Sequence, residues 1–278
     1  KFDLLNLLAG LMQPEIVWGE RGNSCSNILS KEYMKLSIEK KSLLILAADK
    51  RTIGGMLTLI EEVGDYVTVI KTHVDLIEDW TYEKWMEVVD LSKSKNVLLF
   101  EDRKFADIGK ISREQMGGIY SINKWADIVT SHLISGPDIV DGLNSAWKDI
   151  ERKGGVFLLA QMSSRGNLLS PEYSDIVINL GIGKKDVVMG YIGNGSSPNE
   201  VRNLRGKVGD SQMIWTPGVN LNAGEGELGQ RYGDPYEVII AGSDGIIVGS
   251  GIHKSESPAS SAKMYAEISW KALTERIS

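Results

Sequence analysis

Cysteine is almost absent from this chain of 278 residues, with Cys25 the single example. That excludes an internal disulfide and a thiolate metal cluster, and it suits a reducing compartment, so a cytoplasmic location is expected. Histidine is nearly as scarce: His73, His132 and His253 lack zinc-ligand spacing, and no metal is expected. No apolar run approaches the length of a membrane span, so no membrane partner is expected. A formal net charge of -6 offers no general surface for nucleic acid; an anionic ligand has to be met by a local group of lysines and backbone amides. A G-x-S-x-G elbow around Ser163 and Ser164, a dinucleotide fingerprint, a P-loop and a visible cleavable signal are missing as well.

What remains is an ordinary globular composition, 42% hydrophobic and 24% charged, at a length that suits one α/β barrel domain. From Leu43 onward, short apolar runs ending in polar residues alternate with amphipathic stretches of helical length. Eight such runs are present: Leu43 to Asp49, Val67 to His73, Val97 to Arg103, Ala126 to His132, Gly155 to Met162, Asp186 to Gly193, Gln212 to Gly218 and Asp244 to Ser250. Strands alternating with helices predict a parallel sheet, and eight repeats allow it to close into a (β/α)8 TIM barrel over residues 43–278. Residues 1–42 read as an amino-terminal helical extension. Phe2, Leu5, Leu8 and Met12, then Tyr33, Leu36 and Ile38, recur at helical spacing around a GERGNSCSN loop. Gly193 to Asp210 reads as a solvated loop, and the tryptophans, among them Trp80, Trp85, Trp125 and Trp147, as packing.

Active sites of such barrels sit at the carboxyl ends of the strands, where these runs carry their polar residues. In Val97 to Lys110, VLLFEDRKFADIGK, an apolar run enters four alternating charges. In an extended chain Asp102 and Lys104 share one face and Glu101 and Arg103 the other, while Asp107 sits where it can cap a helix or reach into a site. Spacing alone permits either an ion-pair girdle or an active site. Lys71 and His73 repeat the same-face pattern at the end of run two. The glycine-rich Ala223 to Asp234 is long enough for a lid over the barrel mouth or an ordinary loop, and Gln230 and Tyr232 could contact a covered ligand. Gly249, Ser250 and Gly251 end run eight, either as a phosphate-binding turn or as a tight turn only.

Taken together, KTHVD, LLFEDRKFADIG, WADIV, MSSRGNL, TPGV, LGQRY and IIVGSG, in this order between about Ile28 and Glu275, resemble the orotidine 5′-monophosphate decarboxylase family. The likeness is greatest to its eukaryotic form, free-standing or the carboxyl-terminal half of uridine monophosphate synthase. The resemblance implies a cofactor-independent decarboxylase in pyrimidine biosynthesis whose catalytic network is Lys71, Asp102, Lys104 and Asp107, with Asp107 supplied by the neighbouring subunit of a homodimer. It implies that Asp49, His73 and Ile108 lie in the substrate site, that Ser163 meets the pyrimidine, that Pro217 lines the base pocket, and that Gln230, Tyr232, Gly249 and Ser250 face the phosphate. Where the family pattern reads V-G-R-G, this chain has Val248-Gly249-Ser250-Gly251, so the arginine that pairs with phosphate is absent. Replacing a charged hydrogen bond in this way costs roughly 1.5 to 3 kcal/mol. Ile111 replaces a threonine of the pattern and Ala47 a serine. Three readings follow: an active decarboxylase with a changed phosphate grip, a paralogue decarboxylating a related nucleoside or nucleotide, and a catalytically silent nucleotide-binding homologue.

Overall fold

Runs rich in Val, Ile and Leu, apolar on both faces, form strands only where helices cover both sides of a sheet, and each of the eight runs becomes a fully or largely buried strand. The computed structural model describes residues 13–221, 224–225 and 231–277. Its barrel strands are β1 (Leu44–Ala47), β2 (Val69–Thr72), β3 (Leu98–Phe105), β4 (Ile128–Ser131), β5 (Gly155–Leu159), β6 (Val188–Ile192), β7 (Met213–Thr216) and β10 (Gly245–Val248). They run parallel in the closed order β1-β10-β7-β6-β5-β4-β3-β2, with β1 also pairing β2. The short antiparallel pair β8 (Gly224–Glu225) and β9 (Arg231–Tyr232) follows β7.

Among the described residues, three short or medium helices precede the barrel: α1 (Pro14–Val17), α2 (Glu20–Ser24) and α3 (Ile28–Lys40). Phe2, Leu5, Leu8 and Met12, expected to be helical, lie outside the described residues. The GERGNSCSN stretch is not all loop, because Gly19 turns the chain at φ 55° and α2 follows with Arg21 buried. Then come α4 (Ile53–Val63), α5 (Tyr82–Ser94), α6 (Gly109–Gly117), α7 (Ile122–Trp125), α8 (Asp138–Lys148), α9 (Pro171–Gly183), α10 (Pro198–Val208), α11 (Pro235–Ile240), α12 (Ser250–His253) and α13 (Pro258–Ile277). The expected solvated loop from Gly193 to Asp210 therefore contains a helix. Ser197 caps it by accepting from Glu200 N, Pro198 opens its first turn, and Val201, Leu204 and Val208 are buried.

Aromatic rings from alternate strands fill the barrel: Phe157 stacks on Trp215 at 4.1 Å between centroids, and Phe100 meets Trp215 edge-on at 5.5 Å. Below them Tyr33 of α3 packs on Trp215 and donates to Asp244 O at 2.7 Å, so the extension plugs the amino-terminal end. Asp244 is fully buried there and binds Arg21 (2.8 Å), Arg276 (3.3 Å) and Arg205. Burial opposes its ionisation, but the three guanidinium groups hold its carboxyl below the usual carboxylate range. The opposite, carboxyl end of the strands stays open.

Candidate active site

The open end holds a cavity of about 560 Å³ floored by Phe100 of the aromatic layer. Its wall brings together Asp49 after β1, Lys71 and His73 at the end of β2, Asp102 and Lys104 of β3, Ser163 after β5, Pro217 after β7, Tyr232 of β9, and Gly249 and Ser250 after β10. Gln230 lies outside the described residues. Ten of the thirteen residues singled out from the sequence thus converge on one cavity.

Strand β3 shapes the charged end of it. Glu101 pairs with Val129 and Phe105 with Ser131, so four steps along β3 match two along β4, and the strand arches inward between them. Lys104 sits within that arch at φ 50°, a left-handed conformation that a side chain adopts at a cost of about 1 to 2 kcal/mol. Two hydrogen bonds through Thr130 of β4 hold it: the Lys104 amide donates to Oγ1 at 2.9 Å, and the hydroxyl donates to Asp102 Oδ1 at 2.8 Å. The other carboxylate oxygen, Oδ2, receives Lys104 Nζ at 2.7 Å and lies 3.2 Å from Lys71 Nζ. Burial would raise the Asp102 pKa, yet two ammonium groups and the Lys104 hydrogen bond outweigh it and hold the carboxyl below the ordinary range.

Lys71 has a second partner in His73, whose Nε2 is 2.9 Å away. An ammonium only donates, so Nε2 accepts and the imidazole is neutral with its proton on Nδ1. Burial, and then the charge of Lys71, lower the His73 pKa in agreement with that state. Asp49 stands 3.9 Å from Lys71 and completes an alternating row of charges, Asp49, Lys71, Asp102 and Lys104. All four side chains of the row line the same open cavity.

Asp107 and Ile108 are placed elsewhere. Both are exposed, and they line a separate concavity with Arg103, Gln115 and Ser135 that touches the main one only through Lys104. Nor does Asp107 cap α6: its Oδ1 accepts from Ile108 N at 2.7 Å, and the cap residue Ile108 has no side-chain acceptor. Backbone packing fixes this segment, since a Cβ on Gly142 of α8 would stand 2.1 Å from Gly109 O at the start of α6. Ile111, one turn on, is 38% exposed on the same face. Sequence reasoning missed Thr130, His253 and Lys254. The latter two follow β10 and line the cavity, and their position after the last strand was the available signal.

Comparison with known proteins bears on this arrangement. The model of the Orotidine 5′-phosphate decarboxylase / HUMPS family matches residues 42–265, which hold every residue of the cavity. The chain belongs to this family. Among curated relatives, an orotidine 5′-phosphate decarboxylase of Candida parapsilosis is 37% identical over 264 residues, covering 93% of this chain and 96% of its own. That of Schizosaccharomyces pombe is 36% identical over 264 residues, covering 94% and 96%. The crystal structure of orotidine 5′-monophosphate decarboxylase from Methanocaldococcus jannaschii in complex with the inhibitor BMP superposes with a TM-score of 0.65 at 25% identity, covering 82% of this chain and 97% of that one. The TIM barrel is therefore the family's fold as well as this chain's, and the fungal alignments extend over nearly the whole chain.

Proposed function

We propose that this chain decarboxylates orotidine 5′-monophosphate to uridine 5′-monophosphate, and that the row Asp49, Lys71, Asp102 and Lys104 carries the reaction. The single strongest support is Asp102, buried between two ammonium groups at 2.7 and 3.2 Å on the wall of an open cavity. The C6–carboxylate bond breaks, carbon dioxide leaves, and the electron pair stays on C6 in an orbital that the ring delocalises poorly. Lys104 Nζ, kept charged by Asp102, faces that carbon, stabilises the pair and transfers a proton to it. Solvent then reprotonates the amine. Asp102 stands beside the departing carboxylate, and Lys71 offsets the charge of both. Asp49, Lys71 and His73 lie toward the ribose, Ser163 and Pro217 toward the base, and Tyr232, Gly249 and Ser250 toward the phosphate.

A charge network of this kind needs no cofactor. Among the described residues no three His, Cys, Asp or Glu side chains group as a metal site. Asp107 and Ile108 act in a neighbouring subunit's cavity, so the working form is a homodimer, and Asp107 joins the network there. No described helix is long and apolar enough to cross a membrane, and a cytoplasmic location remains part of this proposal.

Purified protein is expected to release carbon dioxide and uridine 5′-monophosphate from orotidine 5′-monophosphate with chelator present. Lys104→Ala should lower kcat by at least about a thousandfold with the far-ultraviolet spectrum unchanged. Absence of turnover by the wild type at saturating substrate sinks the proposal.

A further inference from the structure

The proposed substrate is anionic at both ends, with a carboxylate on the ring and a phosphomonoester beyond the ribose. Lys71 and Lys104 occupy the first end, and both ammonium groups are engaged by Asp102. The wall after β10 lies three strands round the barrel from β3 and presents Ser250, His253 and Lys254 to the same cavity. Ser250 offers a phosphate dianion one neutral hydroxyl. Lys254 brings a full charge, is exposed, and forms no ion pair with any described residue.

The neighbouring imidazole is already oriented. His253 Nδ1 lies 3.2 Å from Ala47 O, and because a carbonyl only accepts, Nδ1 carries the proton and the ring is fixed beside the start of β10's following turn. The backbone here has little freedom. A Cβ on Gly251 would come within 2.5 Å of the Tyr265 hydroxyl, which itself accepts from Leu221 N at 3.0 Å. Tyr265 of α13 thus holds both α12 and the segment that follows β7 against this wall.

We propose that Lys254 is the cation that binds the substrate's phosphate in this chain, in place of an arginine at position 250. The assignment rests on the decarboxylase reading of the cavity. An ammonium acts as a point charge rather than a two-pronged fork, so its grip depends on charge more than on a fixed contact geometry.

Lys254→Met is expected to lower kcat/KM for orotidine 5′-monophosphate about ten- to a hundredfold more than kcat/KM for phosphate-free orotidine. Lys254→Arg restores the difference, and so does Ser250→Arg introduced into Lys254→Met. Calorimetric titration with uridine 5′-monophosphate and with uridine makes the same comparison without turnover. If Lys254→Met shifts nucleotide and nucleoside equally, the phosphate assignment is overturned while decarboxylation stands. If the wild type never decarboxylates but prefers the nucleotide in titration, and Lys254→Met abolishes that preference, the decarboxylase reading is lost and the phosphate site is kept. Wild-type protein that neither turns over nor binds the nucleotide overturns both.

Discussion

Lys104 and Thr130 illustrate how one hydroxyl can support a charged row. Without the Thr130 side chain, the amide of Lys104 loses its acceptor and Asp102 Oδ1 its donor, both in a part-buried setting. Leaving such groups unpaired costs about 1 to 3 kcal/mol. Thr130→Val keeps the shape and removes the hydroxyl, so it should lower stability to urea by about that amount and lower kcat about tenfold as the Lys104 amine loses its fixed position. Thr130→Ser, which retains the hydroxyl, should recover most of kcat. Unchanged kcat in Thr130→Val would show that Lys104 is held by its bond to Asp102 alone.

Strand β3 turns one charged sequence toward two environments. Asp102 and Lys104 face the cavity, whereas Glu101 is wholly buried against β2, accepting from Thr72 Oγ1 at 2.6 Å and from Val74 N at 3.2 Å. Burial pushes the Glu101 carboxyl up to about 8 from an ordinary 4.5, although the Thr72 and Val74 hydrogen bonds oppose the rise. A carboxyl raised in the folded state stabilises fully below its unfolded value, and that stabilisation is lost as pH climbs through the folded one. Wild-type stability should therefore fall between about pH 4.5 and 8 by up to ~1.4 kcal/mol per pH unit from this group, while Glu101→Gln lacks that component. Urea titrations across the range make the test; parallel profiles for the two proteins would mean that Glu101 is ionised in the fold. The same carboxyl ties β3 to the residues on either side of His73, so its state bears on where Lys71 and His73 stand.

At the scale of the whole molecule, the homodimer proposed above is tested through Asp107. Asp107 is exposed and lies outside the main cavity, and Ile108, the residue after it, is exposed beside it. Mixing inactive Lys104→Ala and Asp107→Ala subunits under exchange conditions should restore about a quarter of wild-type activity, because random pairing makes half the dimers mixed and gives each mixed dimer one intact site. Verified exchange without recovered activity would place both residues in one subunit's site. The amino-terminal end of the barrel is closed rather than open, and the three arginines on Asp244 join α2, α10 and α13 to the base of β10 there.

Apolar runs and their polar ends were enough to set eight strands, the closed parallel barrel and the end at which the site opens, because burial on both faces and side-chain alternation are local properties of a strand. Lys71, Asp102 and Lys104 were legible for the same reason. Helix α10 reads as a loop in the sequence, although its Ser197-Pro198 start and Glu200 form a helix-opening pattern. Only the tertiary structure decided that Glu101 is wholly buried while Asp102 lines the cavity, that Thr130 supports Lys104 from 26 residues away, that Asp107 turns out of its own cavity, and that Lys254 lines the same cavity as Lys104. Each of these depends on register between strands or on packing across the barrel. The stretch from Val97 to Lys110 carries its charges in sequence, but the arch opposite β4 and the cation three strands away are set by neighbours that no local pattern names.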